Sequence, residues 1–302
     1  MTLSVVIISY NEEANIGRTL ESVKSLVCDG KGEVIVVDSG STDRTVEISK
    51  SYGAKVFTEE WKGYAAQKNS AIEKASGDWI LSLDADEELD GELQHALNDT
   101  MGGLQRVSAL TREKDGSCAQ TLTLSDANDD VKYHVGTEFD ENFAGLWIPR
   151  RNEFLGRWIK HGGFWPDPKL RFFRKGTGLF EDRAVHETVR VNGRTGRIRY
   201  GSLIHHSYPT FSDYIAHMNR YSTLGAEMLV ATGRRRFVAL DIVFRPMLTF
   251  IYNYFFRLGF LDGREGFLLH VGHAIYVSWK YMKVWEMQNA SQSQRATQSS
   301  ST

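Results

Sequence analysis

The chain has 302 residues, of which 41% are hydrophobic and 25% charged, with a formal charge of −2. This composition supplies a folded core without membrane-class hydrophobicity, and the charge excludes a general nucleic-acid binder, which needs a net basic face. Its two cysteines, Cys28 and Cys118, belong to no Cys-x-x-Cys pair, which argues against a zinc or disulfide framework and fits a reducing compartment.

Met1-Thr2-Leu3-Ser4 carries no basic region or cleavage signal, so nothing directs export and a cytoplasmic location is expected. Val5 to Ile8 is a short β-branched run suited to a buried parallel strand. Ser9-Tyr10-Asn11 follows, then a helix with Ile16, Leu20, Val23 and Leu26 at helical spacing. Glu33 to Asp38 predicts a second strand, and Ser39-Gly40-Ser41-Thr42-Asp43 a turn in which Asp43 can cap a helix over Thr45 to Tyr52. A shorter third strand is expected at Ala54 to Phe57. A helix over 63–75 then leads through Ser76-Gly77-Asp78 into a strand ending at Asp84. This βαβαβ order implies a doubly wound, mostly parallel sheet with a ligand crevice at the carboxyl edge of its strands.

The first strand lacks a following Gly-x-Gly-x-x-Gly turn, so a nicotinamide dinucleotide fits poorly. The strand ends offer Ser9, Asn11, Asp38, Ser39, Asp43, Asp84 and Asp86, polar groups that can bind a base, a ribose and a metal-bound diphosphate. Asp84 and Asp86 point two carboxylates into one crevice, where a hard divalent cation can be held beside a diphosphate. Glu87 and Glu88 follow at once, and such charge is costly unless cations or hydrogen-bond donors offset it.

Val5-Val6-Ile7-Ile8-Ser9-Tyr10-Asn11-Glu12, Val36-Val37-Asp38-Ser39-Gly40-Ser41-Thr42-Asp43 and Leu83-Asp84-Ala85-Asp86 together resemble family 2 glycosyltransferases of the GT-A fold. The resemblance implies that Asp38 contacts the base or ribose, Asp84 the ribose or metal, and Asp86 a Mg or Mn ion bridging the diphosphate. Many members carry a second aspartate where this chain has Ser39.

Past Glu88 the pattern loosens, and residues 101–142 read as a polar loop or insertion. From Gly145 the chain turns aromatic and basic, which suits sugar rings and anionic groups through stacking and guanidinium pairing. Arg150, Arg157, Trp158 and Trp165 are the acceptor-binding candidates, and packing in the core is the competing role for any one aromatic. Lys169 to Arg174 reads as an alternating strand. Asp182 and Glu187 are candidates for the carboxylate that takes the acceptor proton in an inverting transfer. His186 either meets the acceptor, orients Glu187 or packs beneath it, and the competing role of either acid is a surface salt bridge with Arg183, Arg190 or Arg194. His205 is a candidate further metal ligand beside the carboxylates, the alternatives being a loop histidine bonded to backbone or one touching the leaving diphosphate.

From Arg234 to Lys283, eight Lys and Arg oppose three acids, with aromatic and aliphatic residues between them. No uncharged apolar stretch reaches the roughly 20 residues that a bilayer span needs. These helices are expected to lie on the cytoplasmic membrane surface, the alternative being a helical hairpin packed on the catalytic domain or a partner. Gly259-Phe260-Leu261-Asp262-Gly263 breaks them into two, and the Ser/Gln/Thr-rich tail 288–302 is expected to be disordered. The implied organisation is a catalytic domain over 1–233, with nucleotide-binding (1–100) and acceptor (143–233) halves, followed by the helices of 234–287.

Ile148-Pro149-Arg150, Leu155-Gly156-Arg157-Trp158-Ile159, His161-Gly162-Gly163, Pro166-Asp167, Leu170-Arg171-Phe172-Phe173, Val185-His186-Glu187 and the Gly259 to Gly263 segment resemble the β-1,4-glucosyltransferases that decorate an inner-core heptose of lipopolysaccharide. That likeness implies a UDP-glucose donor and a heptose on a lipid-linked core oligosaccharide as acceptor. The competing readings are transfer to a polyprenyl phosphate or another surface glycan, a nucleotidyltransferase, and a non-catalytic membrane scaffold that binds sugar nucleotides.

Overall fold

The computed structural model describes residues 1–113, 142–181, 188–232 and 238–299. The chain forms two compact units. The described residues of the first lie within Met1–Arg151, Asp167–Arg183 and Glu187–His205, and those of the second within Asn152–Pro166 and His206–Thr302.

The first unit opens on β1 (Leu3–Ser9), all seven residues of which are buried, as expected of a parallel strand covered on both faces. Helix α1 (Ile16–Val27) buries Ile16, Leu20, Val23 and Leu26. Then follow β2 (Gly32–Asp38), α2 (Thr45–Ser51), β3 (Lys55–Thr58), α3 (Tyr64–Lys74), β4 (Trp79–Asp84), β5 (Glu87–Leu89) and α4 (Gly91–Glu113). Asp43 accepts from the backbone N–H of Thr45 at 3.0 Å, tying off the start of α2. The later strands are β6 (Phe143–Ile148), β7 (Arg150–Phe154), β8 (Arg157–Trp158), β9 (Lys169–Arg174), β10 (Gly178–Phe180), β11 (Val189–Val191), β12 (Arg194–Arg197) and β13 (Leu203–Tyr208).

The main sheet has seven strands in the order β12-β6-β9-β4-β1-β2-β3. Strands β3, β2, β1 and β4 pair in parallel, as the βαβαβ pattern predicts, whereas β9 runs antiparallel to both β4 and β6. Because β9 is an interior strand, Leu170, Arg171, Phe172 and Phe173 are all buried, and the half-exposed alternation read from its sequence does not apply. Phe172 stacks on Trp79 at 4.9 Å in one core, and Phe173 packs with Ile80 and Phe180 in the other.

Helix α4 runs through the start of the segment read as a loop from residue 101. Leu93, Ala96, Leu97 and Leu104 form a buried stripe at helical spacing, and that burial outweighs the helix-weakening Gly102-Gly103 pair. The rest of the expected insertion, 114–141, lies outside the described residues.

In the second unit, Phe154 pairs with Arg157 across a two-residue turn whose Leu155 and Gly156 both have positive φ, 53° and 75°. Such a turn matches the strand twist, and glycine occupies one of its two left-handed positions at no steric cost. Thr210 and Asp213 form a reciprocal capping box at the start of α5 (Phe211–Ala231). Helix α6 (Val238–Ile251) contains Pro246, which has no N–H for the Ile242 carbonyl, and the Ser278 hydroxyl donates to that carbonyl at 2.7 Å. A π turn (Tyr252–Phe256) and a 3-10 turn (Gly259–Asp262) lead into α7 (Gly263–Ser299). This helix includes residues 288–299 of the tail expected to be disordered, since adding residues to a formed helix costs far less than nucleating one.

Candidate active site

Parallel pairing places Ser9 opposite Asp38, and Ile8 opposite Asp84, so three strand ends share one edge. Asp38 is fully buried, and its carboxylate is surrounded by donors of this chain. Ser9 Oγ and Ser41 Oγ donate to Oδ2 at 2.9 and 2.5 Å, while the N–H groups of Gly40 and Ser41 donate to Oδ1 at 3.0 and 2.8 Å. Asp38 therefore closes the turn after β2, and Gly40, with φ of 89°, takes the left-handed conformation this turn requires. Asn11 locks the facing loop to it: its Oδ1 accepts from Thr42 N–H and its own N–H donates to Ser41 Oγ, both at 2.8 Å. Among the described residues the buried Ser39 hydroxyl has no hydrogen-bond partner.

The acidic edge at the end of β4 is neutralised from within. Asp84 Oδ1 lies 2.7 Å from Lys68 Nζ, and its Oδ2 lies 2.5 Å from Arg171 Nη2. The same Arg171 nitrogen is 3.0 Å from Glu87 Oε1, which Arg150 Nη1 also reaches at 3.0 Å, and Arg150 continues to Asp167 at 2.7 Å. Cations and carboxylates thus alternate through Lys68, Asp84, Arg171, Glu87, Arg150 and Asp167. Burial raises the Asp84 carboxyl, but the charges of Arg171 and Lys68 outweigh it and hold that group well below the usual carboxylate range. Burial likewise opposes the charge of Arg171, and Asp84 and Glu87 more than restore it.

Asp86 stands apart from that chain. Antiparallel pairing of β13 with β5 sets His205 opposite Glu87, and His205 Nε2 comes 3.1 Å from Asp86 Oδ2. Burial raises the Asp86 carboxyl and His205 outweighs it, leaving a net lowering. A carboxylate and an imidazole, each partly exposed, form a donor set that fits a divalent cation able to take its remaining ligands from a diphosphate. Among the described residues no group of three His, Cys, Asp or Glu side chains converges on one metal position, and this pair is the described part of such a donor set. Both oxygens of Asp84, also a metal candidate, are held by cations.

Glu12 belongs to the same neighbourhood. Its carboxyl is pushed up to about 7, first by burial, against a hydrogen bond from Asn15, with the charges of Asp86, Asp43 and Asp84 adding to the rise.

Of the acceptor candidates, Arg150 engages its guanidinium with Glu87 and Asp167, and Arg157, Trp158 and Trp165 belong to the second unit. Asp182, His186 and Glu187 lie outside the described residues. Sequence reasoning missed Lys68, Arg171 and Glu12 as site residues. Lys68 could have been found from its place on the buried face of α3 with Ala65, Ala71 and Ile72, where a charge implies a buried partner.

The model of the glycosyl transferase family 2 matches residues 4–102. The chain is 49% identical over 297 residues to the uncharacterized glycosyltransferase RP128 of Rickettsia prowazekii, covering 96% of this chain and 87% of that one. It is 29% identical over 293 residues to the lipopolysaccharide core biosynthesis glycosyltransferase LpsC of Rhizobium meliloti, covering 95% and 93%. Among solved structures, S. aureus TarS 1-349 in complex with UDP aligns over 96% of this chain and 92% of that one, at 16% identity and a TM-score of 0.45, too slight a likeness to bear on chemistry.

Proposed function

The chain belongs to glycosyl transferase family 2, and we propose that it moves a hexose, glucose in our reading, from a UDP-sugar to a heptose of a lipopolysaccharide core. The transfer is inverting and metal-assisted, and it takes place at the cytoplasmic membrane surface. The observation that carries this reading is the edge where the Asp38 turn, the neutralised Asp84 and the Asp86–His205 pair meet at adjacent strand ends. The likeness to LpsC over nearly the whole chain supports the acceptor class.

In this mechanism the nucleotide rests against the Asp38 to Ser41 turn, whose internal hydrogen bonds fix its shape before the donor arrives. Lys68 and Arg171 keep Asp84 ionised and in place for the ribose. Asp86 and His205 would hold a divalent cation, which when bound offsets the charge on the departing diphosphate. The acceptor oxygen attacks the anomeric carbon while the bond to UDP breaks, and its proton passes to a carboxylate, Asp182 or Glu187. Such general-base help is worth on the order of 10²–10⁴ in rate.

The membrane part of the proposal draws on the second unit. Val243, Leu248 and Phe256 are 61%, 60% and 76% exposed, on a segment that carries Arg245 and is capped by Arg257. Exposed apolar residues beside basic ones suit an anionic interface, and no described helix is long and apolar enough to cross a membrane.

The test is UDP release from a panel of UDP-sugars with lipid-linked core oligosaccharide, with and without Mg²⁺ or Mn²⁺. Metal-dependent release from UDP-glucose that needs the acceptor is expected. Release that ignores the acceptor would refute the transfer, and release only with polyprenyl phosphate would move the acceptor class.

A further inference from the structure

The second unit contains an open cleft of about 600 Å³ lined by Gly156, Arg157, Trp158, Lys160, His161, Leu261 and Asp262. Its volume falls within the roughly 300–1,000 Å³ of small-molecule sites. We infer that this cleft binds an anionic sugar, a ring bearing a phosphate or carboxylate, as part of the acceptor.

The cleft is built so that its acids support and its cations present. Asp262 is 3% exposed, and its carboxylate accepts from the backbone N–H groups of Lys160 and His161 at 3.1 and 2.8 Å and meets His161 Nδ1 at 3.0 Å. One buried acid of the Gly259 to Gly263 break thus fixes both the backbone and the ring of the segment that carries the positive charge. Arg157 is steadied by Glu265 at 3.1 Å yet remains 47% exposed. Gly263, with φ of 68°, lets that guanidinium lie close, since a Cβ there would come within 2.9 Å of Arg157 Nη1. Lys160 is exposed and forms no ion pair among the described residues. Its ammonium rests 4.5 Å from the centre of the Trp158 ring.

An exposed ammonium and a half-exposed guanidinium next to an indole wall select a ligand with a negative group and an apolar ring face together. A sugar acid or sugar phosphate has both, whereas inorganic phosphate lacks the face and a neutral hexose lacks the charge. Edge-to-face contact with Trp165 at 5.0 Å holds the Trp158 ring. Leu261 on the rim is 51% exposed and its neighbour Phe260 43%, which suits an acceptor whose far end is apolar. The identity of the bound sugar as acceptor rests on the transferase reading above; the anionic-sugar chemistry of the cleft does not.

The full chain would be titrated with glucose 6-phosphate, glucuronate, glucose, inorganic phosphate and phosphatidylglycerol vesicles, following heat and tryptophan fluorescence, with UDP binding measured alongside. The two anionic sugars should bind at least ten-fold more tightly than glucose or phosphate. Lys160→Met, which keeps the stem and removes an exposed charge, should weaken them ten-fold or more while leaving UDP affinity unchanged. Trp158→Leu should weaken both sugars without creating a preference for phosphate. Equal binding of glucose or of inorganic phosphate, or full affinity in Lys160→Met, would overturn the inference, as would vesicles displacing glucose 6-phosphate. Loss of UDP binding by the wild-type chain, with the sugar results intact, would sink the donor reading and leave the cleft assignment standing.

Discussion

A single guanidinium nitrogen of Arg171 bridges Asp84 and Glu87, at 2.5 and 3.0 Å. These two carboxylates share a buried edge, Glu87 with no exposure at all, so the bridge is made out of contact with solvent. Arg171 holds Asp84 ionised at the edge we propose for the donor.

Arg171→Met should therefore destabilise the fold by about 3–5 kcal/mol, the usual cost of leaving a buried ion without its partner. Arg171→Lys should recover only part of this, because a single ammonium cannot reproduce the guanidinium geometry. Urea melts of the three proteins check the order, and equal midpoints for wild type and Arg171→Met would remove the structural role given to this residue.

Glu12 gives stability a pH dependence of known sign. Its carboxyl titrates near 7 in the fold against 4.5 for an ordinary glutamate, so between these values the folded chain holds more protons than the unfolded one. Its contribution to stability is largest below 4.5 and is lost as pH rises toward 7. Glu12→Gln should flatten this slope and gain roughly 2 kcal/mol on wild type at pH 8 relative to pH 5. Melts at the two pH values decide it, and parallel losses in both proteins would place the dependence elsewhere.

The Ser278 hydroxyl satisfies the carbonyl that Pro246 leaves unpaired. Ser278→Ala should cost about 1 kcal/mol, the lower end of the penalty for an acceptor left alone, because this bond is part-buried. In a Pro246→Ala background the helix supplies its own N–H to Ile242, so the same substitution should cost markedly less. A double-mutant cycle with no coupling would contradict this account.

The strands at Val5 to Ile8, Glu33 to Asp38 and Trp79 to Asp84 were legible because short apolar runs bounded by turn residues, β-branched in the first two, have few other uses. The Asp38 turn and the pair of aspartates were legible for the same reason, since both are local. What the sequence concealed is long-range. Arg171 lies 87 positions from Asp84, and in the run Lys-Leu-Arg-Phe-Phe-Arg it reads as the polar side of a half-exposed strand. Only the antiparallel insertion of β9 between β4 and β6 turns it inward. Gly102-Gly103 misled in the opposite sense, because a local helix breaker concealed the apolar stripe that holds α4 together.

The most direct test of the donor site is calorimetric titration of UDP in the presence and absence of Mn²⁺, with wild type, Asp86→Ala and His205→Ala. The account predicts that Mn²⁺ tightens UDP binding in the wild type and loses that effect, by ten-fold or more, in both variants, while metal-free UDP affinity stays the same in all three. Undiminished Mn²⁺ enhancement in Asp86→Ala would contradict it and move the cation to other residues.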